Sequence, residues 1–151
     1  MPDLFRSPFS PREQPDALVI HCSDPRFQKH FHEFLRTQLK LDTYGLIAAP
    51  GGTQFLTMID YLPKFSWVGW RWLKFLVDLS QPRRLILIAH DDCRWYKDMR
   101  FWKHGDDWKR AALSDLARVR DGFRERFGPI GVETYFARID GKDVVFETIQ
   151  P

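Results

Sequence analysis

Residues 85–93 read LILIAHDDC, in which five apolar residues are followed by His, two Asp and Cys. An unbroken apolar run such as LILIA is typical of a strand that is buried on both faces of a parallel sheet. A second apolar run, ALVI at residues 17–20, precedes HCSDPR at residues 21–26. The carboxyl ends of neighbouring parallel strands meet at one edge of an open α/β sheet, so the residues that follow both runs should converge on one crevice.

The predicted crevice contains three side chains that can bind a metal. Cys22 ends the first strand, and His90 and Cys93 follow the second. Two thiols and one imidazole suit a soft-to-borderline metal ion, for which Zn²⁺ is the default. Three protein ligands leave the fourth tetrahedral position open, as in catalytic rather than structural zinc sites. The sequence therefore predicts a zinc site with Cys22, His90 and Cys93 as its ligands.

A carboxylate and a guanidinium lie beside the predicted ligands. Asp24 is two residues past Cys22, so its carboxylate returns to the same mouth and could itself occupy the fourth position. Arg26 can form two parallel hydrogen bonds to a carboxylate, which makes it the natural clamp that holds Asp24 away from the metal. The simpler interpretation is that Asp24 is the N-cap of the following helix and that the pair has no chemical role.

Each candidate ligand also has a simpler interpretation. Cys22 and Cys93 could be buried small hydrophobic residues, and His90 could be a hydrogen-bonded core histidine. Asp91 and Asp92 could orient His90 or could simply face solvent. Taken one residue at a time, these interpretations are the better ones. Two Cys and one His at two strand ends, with an Asp and an Arg beside them, favour the metal site.

Composition narrows the class of protein. The chain has 151 residues, which suits one domain, and its 23 Lys and Arg against 20 Asp and Glu are dispersed, so no nucleic-acid partner is expected. No apolar run approaches the roughly 20 residues of a membrane span, so no membrane partner is expected. No signal peptide is visible. We therefore expect a cytoplasmic protein, in which two cysteines serve a metal or catalysis rather than a disulfide.

The rest of the chain predicts one α/β domain. Prolines 2, 8, 11 and 15 predict an irregular N-terminal arm over residues 1–16, followed by a single α/β zinc-binding domain over residues 17–151. The predicted fold is a mostly parallel central sheet flanked by helices, with a C-terminal β-hairpin. The further predicted elements are a helix from Pro25 to about Lys40, a strand over residues 44–49, two helices separated by Pro63, a helix capped by Asp106 or Asp107 that ends near Phe127, and a hairpin over residues 132–149.

Residues 54–79 are dense in aromatic side chains. A core-facing and subunit-facing pair of helices explains them better than an interfacial membrane helix does. Trp67, Trp70 and Trp72 are expected on the surface, where a monomer would leave a large apolar patch in water. The sequence therefore predicts a homodimer or a higher even oligomer.

The two motifs together resemble the signature of the β-class carbonic anhydrases, C-x-D-x-R followed much later by H-x-x-C. Residues 43–52, TYGLIAAPGG, are similar to the family's second strand and glycine-containing turn, and residues 132–149 are similar to its closing hairpin. The resemblance implies the fold of that family, a Zn²⁺ cofactor, and a catalytic pair, Asp24 and Arg26, that acts as a gate. It also implies CO₂ and bicarbonate as substrates. His104 lies in the loop after the site and could shuttle protons, although a solvated surface histidine is the simpler interpretation.

The sequence departs from the family pattern around the substrate. Pro25 stands where the family usually has Ser, Arg94 stands where it usually has Gly, and residues 48–51, AAPG, replace an Arg-Asn-Ala-Gly-like stretch. These changes leave the ligands intact and alter the pocket. A relative that acts on another small linear molecule, such as COS or CS₂, is therefore an alternative within the same chemistry.

Other function classes fit less well. A non-catalytic zinc-binding protein on the same fold, acting as a sensor or interaction module, is favoured if Arg94, Trp95 and Tyr96 fill the pocket. A thiol redox protein is disfavoured because C-x-x-C is absent and His90 would have no role. A phosphatase loop requires five residues between its Cys and Arg, whereas three separate Cys22 from Arg26, which excludes it.

Overall fold

The described part of the chain contains five strands and three α-helices. The structure is a computed structural model that describes residues 4–9, 11, 14–58, 63–98 and 107–149. The strands are β1 (Ala17–Cys22), β2 (Tyr44–Ala49), β3 (Arg84–His90), β4 (Gly131–Asp140) and β5 (Asp143–Thr148). The helices are α1 (Gln28–Glu33), which continues as a π-helix over Phe34–Gln38, a 3₁₀ helix over Gly52–Leu56, α2 (Pro63–Ser80) and α3 (Trp108–Phe127). His104 and Asp106 lie outside the described residues.

The strands form one mixed sheet in the order β2-β1-β3-β4-β5. The pairs β1–β2, β1–β3 and β3–β4 are parallel, and β4–β5 is antiparallel, which confirms the predicted fold class. The chain leaves β1 for β2 on one side and later returns to β3 on the other side. The carboxyl ends of β1 and β3 therefore flank a topological switch point, where ligands of open α/β sheets bind.

Alternate residues of the central strands feed two cores on opposite faces of the sheet. Leu18, Ile20 and Leu87 pack with residues of α2 and α3 on one face. Val19 and Ile88 pack on the other face with side chains of α1 and its π-helical extension. Because both faces of β1 and β3 are covered, a shift of register would expose an entire apolar set, and the register is strongly specified.

Two local predictions about the middle of the chain are corrected. Pro63 does not break a helix but begins α2, as its fixed φ and missing N–H allow at a first helical position. Trp67 and Trp72 are exposed as predicted, whereas Trp70 is partly buried against the core. Its indole Nε1 donates a hydrogen bond to the carbonyl oxygen of Leu56 at 3.1 Å, so this side chain serves the interior.

The helices carry two further findings. Asp107 precedes α3 at the predicted N-cap position, but its side chain makes no capping hydrogen bond. Among the described helices, none is both long enough and apolar enough to cross a membrane.

Helix α2 packs closely on the 3₁₀ helix at Gly69. A Cβ atom at this position would lie 2.3 Å from Phe55 Cε2 and 2.7 Å from Leu56 Cδ2, well inside van der Waals contact. Ser66 Oγ also donates a hydrogen bond to the Leu56 carbonyl, at 2.8 Å. The 3₁₀ helix in turn begins at Gly52, whose added Cβ would meet the backbone nitrogen of Cys22 at 3.3 Å. The packing of α2 thus supports the backbone beneath the end of β1.

Replacing Gly69 by Ala should destabilise the protein by about 2 kcal/mol, because the added methyl group forces Phe55 and Leu56 out of a well-packed core. The free energy of unfolding in urea measures this loss. Gly122→Ala is the matched control, since Gly122 is also a helix-interior glycine but its added Cβ meets the flexible end of Arg126 first. We expect that variant to stay within about 1 kcal/mol of the wild type. Equal losses for the two variants would contradict the packing argument.

Candidate metal centre

The structure brings Cys22, His90 and Cys93 together. Cys22 is the last residue of β1, His90 is the last of β3, and Cys93 follows in the turn after β3. One ligand atom from each residue lies within 4.8 Å of the others, and all three residues are buried. The two sulfur atoms are 4.0 Å apart. Parallel pairing of β1 with β3, together with the turn after β3, therefore assembles the predicted trio at one edge of the sheet.

The imidazole of His90 is held in one orientation. Its Nδ1 lies 2.7 Å from the carbonyl oxygen of Asp91, and because a carbonyl can only accept, Nδ1 carries the proton. The ring also packs on Phe27, with ring centroids 4.2 Å apart. Nε2 is then the atom with the free lone pair, and although it is buried it has no hydrogen-bond partner among the described residues. The predicted orienting role of Asp91 is thus performed by its backbone, not by its carboxylate.

These residues fit a tetrahedral zinc ion. Zinc–sulfur bonds of about 2.3 Å at a tetrahedral angle place two sulfur atoms about 3.8 Å apart. The observed separation of Cys22 Sγ and Cys93 Sγ is 4.0 Å. The unpartnered Nε2 of His90 supplies the nitrogen ligand, and a buried polar atom without a partner is costly unless something binds it. The donor set, two sulfurs and one imidazole nitrogen, is one that zinc favours.

The two thiols contact each other. Cys22 Sγ and Cys93 Sγ lie within hydrogen-bond distance, and this contact lowers the pKa of Cys22. The same contact, together with burial, raises the pKa of Cys93. The contact therefore favours ionisation of one thiol of the pair, and the thiolate is the form in which a cysteine binds metal. Binding of a cation would displace a remaining thiol proton.

Arg26 donates two parallel hydrogen bonds to the carboxylate of Asp24. Arg26 Nε lies 3.0 Å from Oδ1, and Nη2 lies 2.7 Å from Oδ2. Although the guanidinium is about a third exposed, the side chain of Asp24 is only 8% exposed. The hydrogen bonds from Arg26 hold the pKa of Asp24 below its usual range. The carboxylate therefore stays ionised at neutral pH.

Asp24 is not the N-cap of α1. The N-cap position is occupied by Phe27, which makes no side-chain capping bond. Asp24 Oδ1 instead accepts a hydrogen bond from the backbone nitrogen of Arg26, at 3.0 Å. The carboxylate thus closes a turn that precedes the helix, and the simpler interpretation of the Asp24–Arg26 pair as a helix cap does not describe the structure.

The pairing of Arg26 with Asp92 could not be predicted. Arg26 Nη1 donates to Asp92 Oδ2 at 2.7 Å, and Nη2 donates to the Asp92 carbonyl at 2.9 Å, across 66 positions in the sequence. Lys97 Nζ donates to the other carboxylate oxygen of Asp92. Hydrogen bonds from Arg26, then from Lys97, lower the pKa of Asp92 to about 2. The only sequence signal was the acidic character of Asp92 between two ligands, which does not identify a partner.

A cleft of about 500 Å³ opens beside the site. It is lined by Cys22, Ser23, Asp24, Pro25, Arg26, Pro50, Arg94, Trp95 and Asp98. A second cleft, of about 480 Å³ and almost wholly apolar, shares Pro50 and Trp95 with the first. Its other walls include Phe55 and Trp72. Of the three candidate ligands, Cys22 therefore lines an open cleft that has an apolar surface next to its mouth.

Trp95 and Tyr96 do not fill this mouth. The indole of Trp95 lies so close to Gly51 that a Cβ there would be 2.3 Å from Trp95 Cδ1, and its Nε1 donates to Gln54 Oε1. Gly51 has φ of 73°, a backbone conformation that favours glycine. Tyr96 is buried and donates its hydroxyl to Asp115 of α3 at 2.7 Å. Trp95 thus forms a wall of the cleft, which leaves the mouth open.

The sequence matches no family model and no curated protein. Solved structures do match. The β-carbonic anhydrase isoform I from Trichomonas vaginalis aligns with a TM-score of 0.52 and 13% identity over 95% of this chain and 87% of that one. A β-carbonic anhydrase of the fungal pathogen Aspergillus fumigatus aligns with a TM-score of 0.56 and 11% identity over 91% and 76% of the two chains.

A carbonic anhydrase from Streptococcus mutans aligns with a TM-score of 0.51 and 10% identity over 93% of this chain and 87% of that one. At such identities the likeness concerns the fold. It agrees with the signature residues in the sequence, with the five-stranded mixed sheet and with its closing hairpin. The resemblance found in the sequence is confirmed at this level, and the chain has the fold of the β-carbonic anhydrases.

Proposed function

We propose that this protein is a zinc-dependent carbonic anhydrase that converts CO₂ and water reversibly to bicarbonate and a proton. The observation that carries the proposal is the buried trio, in which a ring nitrogen of His90 lies within 4.8 Å of the sulfur atoms of Cys22 and Cys93. Among the described residues, His90 Nε2 has no hydrogen-bond partner. The clamped carboxylate of Asp24 stands beside it at the mouth of an open cleft. The likeness in fold to carbonic anhydrases supports CO₂ hydration as the proposed reaction.

The roles of the residues follow from their chemistry. Cys22, His90 and Cys93 would hold the zinc ion, which when bound supplies a Lewis acid that brings the pKa of a water toward neutrality. Arg26 keeps the Asp24 carboxylate turned toward itself, because two parallel charge-assisted hydrogen bonds fix both oxygens. Ionised Asp24 still has lone pairs free and can only accept, so it orients the proton of a reacting water away from the substrate.

The mouth of the site suits a small, uncharged, linear substrate. Pro50 and Trp95 give it an apolar wall, while Arg26 and Arg94 place positive charge at its rim. An apolar wall favours CO₂, and the cations favour release of its anionic product into the cleft. COS and CS₂ have the same linear shape and electrophilic carbon, and they form the alternative substrate class.

We also propose a homodimer or a higher even oligomer. Phe65, Trp72, Phe75 and Leu79 lie along one face of α2, and each is more than half exposed. Leu46 on the edge strand β2 is also exposed. Large exposed apolar surfaces are typical of protein interfaces. A reducing compartment such as the cytoplasm fits the site, because both Cys22 and Cys93 must remain reduced to bind metal.

Purified without chelators, the protein should contain about one zinc ion per chain. Replacing Cys93 by Ser should release most of it, because a serine hydroxyl does not supply a thiolate. Elemental analysis after gel filtration measures both. His32→Ala is the matched control, since His32 is an exposed histidine outside the trio, and this variant should keep its zinc. A metal-free wild type, or zinc retained in the Cys93 variant, would contradict the proposed zinc site.

Arg26→Ala should leave zinc bound and reduce CO₂ hydration by about a hundredfold or more, because the released Asp24 carboxylate can then compete for the open coordination position. Arg26→Lys should restore activity only in part, because an ammonium lacks the planar two-pronged donor. Stopped-flow measurement of CO₂ hydration with a pH indicator gives the rates. Unchanged rates in Arg26→Ala, or a wild type that holds zinc but does not hydrate CO₂, would favour a non-catalytic zinc-binding module.

The oligomer should depend on the exposed face of α2. Replacing Trp72 and Phe75 together by Lys should convert the assembly to monomers, because two buried charges without partners oppose association. Sedimentation velocity at micromolar concentration measures the change. Lys29→Glu on the exposed surface of α1 serves as the control and should leave the assembly intact. A wild type that sediments as a single chain would contradict the proposal.

A further inference from the structure

We propose that Asp92 is a positioning residue that holds Arg26 in place, so that the clamp on Asp24 stays fixed relative to the metal ligands. The effect on catalysis rests on the function proposed above, whereas the effect on Arg26 itself does not. The proposal is carried by hydrogen bonds that connect the turn after β1 with the turn after β3.

The donors of Arg26 are divided between two carboxylates. Nε and Nη2 face Asp24, whereas Nη1 faces Asp92 Oδ2 at 2.7 Å. Nη2 also reaches the backbone carbonyl of Asp92, at 2.9 Å. Asp92 therefore receives two of the contacts of one guanidinium, one on its side chain and one on its backbone.

Asp24 alone would not fix the position of Arg26. The two residues are two positions apart on the same turn, so the pair could move together as one unit. Asp92 belongs to the other turn, between His90 and Cys93, and lies 66 positions further along the chain. Its contacts fix the guanidinium relative to two of the three candidate ligands. Asp92 thus fixes the position of Arg26 relative to the candidate metal ligands, whereas Asp24 alone fixes it only within its own turn.

The backbone of Asp92 suits this task. Its φ is 51°, a left-handed conformation that Asp and Asn adopt more readily than most residues. Its backbone nitrogen donates to Asp91 Oδ1 at 3.1 Å, which supports the turn. In this conformation both the carbonyl and the carboxylate of Asp92 reach the same guanidinium. A conformation of this kind persists where surrounding contacts determine it, and such places are often functional.

Lys97 prevents the two carboxylates from competing for one arginine. Its Nζ donates to Asp92 Oδ1, the oxygen that Arg26 leaves free. Two carboxylates and two cations then form a neutral group. Asp92 and Lys97 are each about 40% exposed, so the ion pairs are screened by solvent and contribute little to stability. The arrangement instead fixes the positions of the Arg26 and Asp92 side chains relative to each other.

Asp92→Gly tests the proposal without straining the turn, because glycine adopts positive φ freely and keeps the backbone carbonyl. The first measurement is hydrogen exchange of the Arg26 Nε–H by NMR, which requires neither metal nor activity. We expect exchange to accelerate about tenfold in Asp92→Gly, since a guanidinium that loses a charged partner opens more often. Lys97→Gln is the matched control, because it removes the other partner of Asp92 and leaves the contacts to Arg26. Its exchange should stay within about twofold of the wild type.

A double-mutant cycle separates positioning from a merely structural role. In the zinc-loaded protein, Asp92→Gly should lower kcat for CO₂ hydration about tenfold with little change in KM, and it should add less than about twofold when Arg26 is already Ala. Zinc content should remain near one per chain in every variant. Effects that multiply in the double variant, or Arg26 Nε–H exchange unchanged in Asp92→Gly, would overturn the proposal. If the wild type binds zinc but hydrates no CO₂, the exchange measurement alone decides it, and only the proposed function fails.

Discussion

Parallel hydrogen bonding between β1 and β3 is the constraint on which the rest of the molecule depends. Ile20 pairs with Leu87 and His21 with Ile88, so the two strands end side by side. This register places Cys22 next to His90, and the turn after β3 then returns Cys93 to the same point. Side chains alternate along a strand, so a slip of one residue would turn Cys22 to the opposite face of the sheet. The apolar layers on both faces resist such a slip, which means that the core fixes the geometry of the site.

Much of this could be predicted from the sequence, because the informative signals are local. Apolar runs identify the buried strands. The carboxyl ends of parallel strands meet at one edge of the sheet, and this does not depend on the sequence of the rest of the chain. The link between Arg26 and Asp92 could not be predicted in the same way, since it depends on the φ of a single residue and on side-chain reach between two turns. The same holds for Trp70, whose burial depends on the carbonyl of Leu56. The placement of Trp95 against Gly51 required the backbone itself.

Helix α2 connects the surface of the protein to the interior of the site. One side of it buries Ser66, Gly69 and Leu73. Through the 3₁₀ helix, this side supports the backbone around Cys22 and the residues that hold Trp95. The other side exposes the aromatic face on which we base the proposed oligomer. Because the two sides belong to one rigid element, whatever covers the aromatic face also restrains the wall of the cleft.

The unpartnered Nε2 of His90, next to two thiols, has a consequence for abundance in the cell. Leaving a buried polar atom unsatisfied costs about 1–3 kcal/mol, so the folded chain without an ion is stable by a reduced margin. An ion that binds the native state and not the unfolded chain stabilises it by mass action, by about 4 kcal/mol when its free concentration is a thousand times the dissociation constant. The amount of folded protein would then follow the supply of the ion, and proteases would remove the chain first when that supply fails.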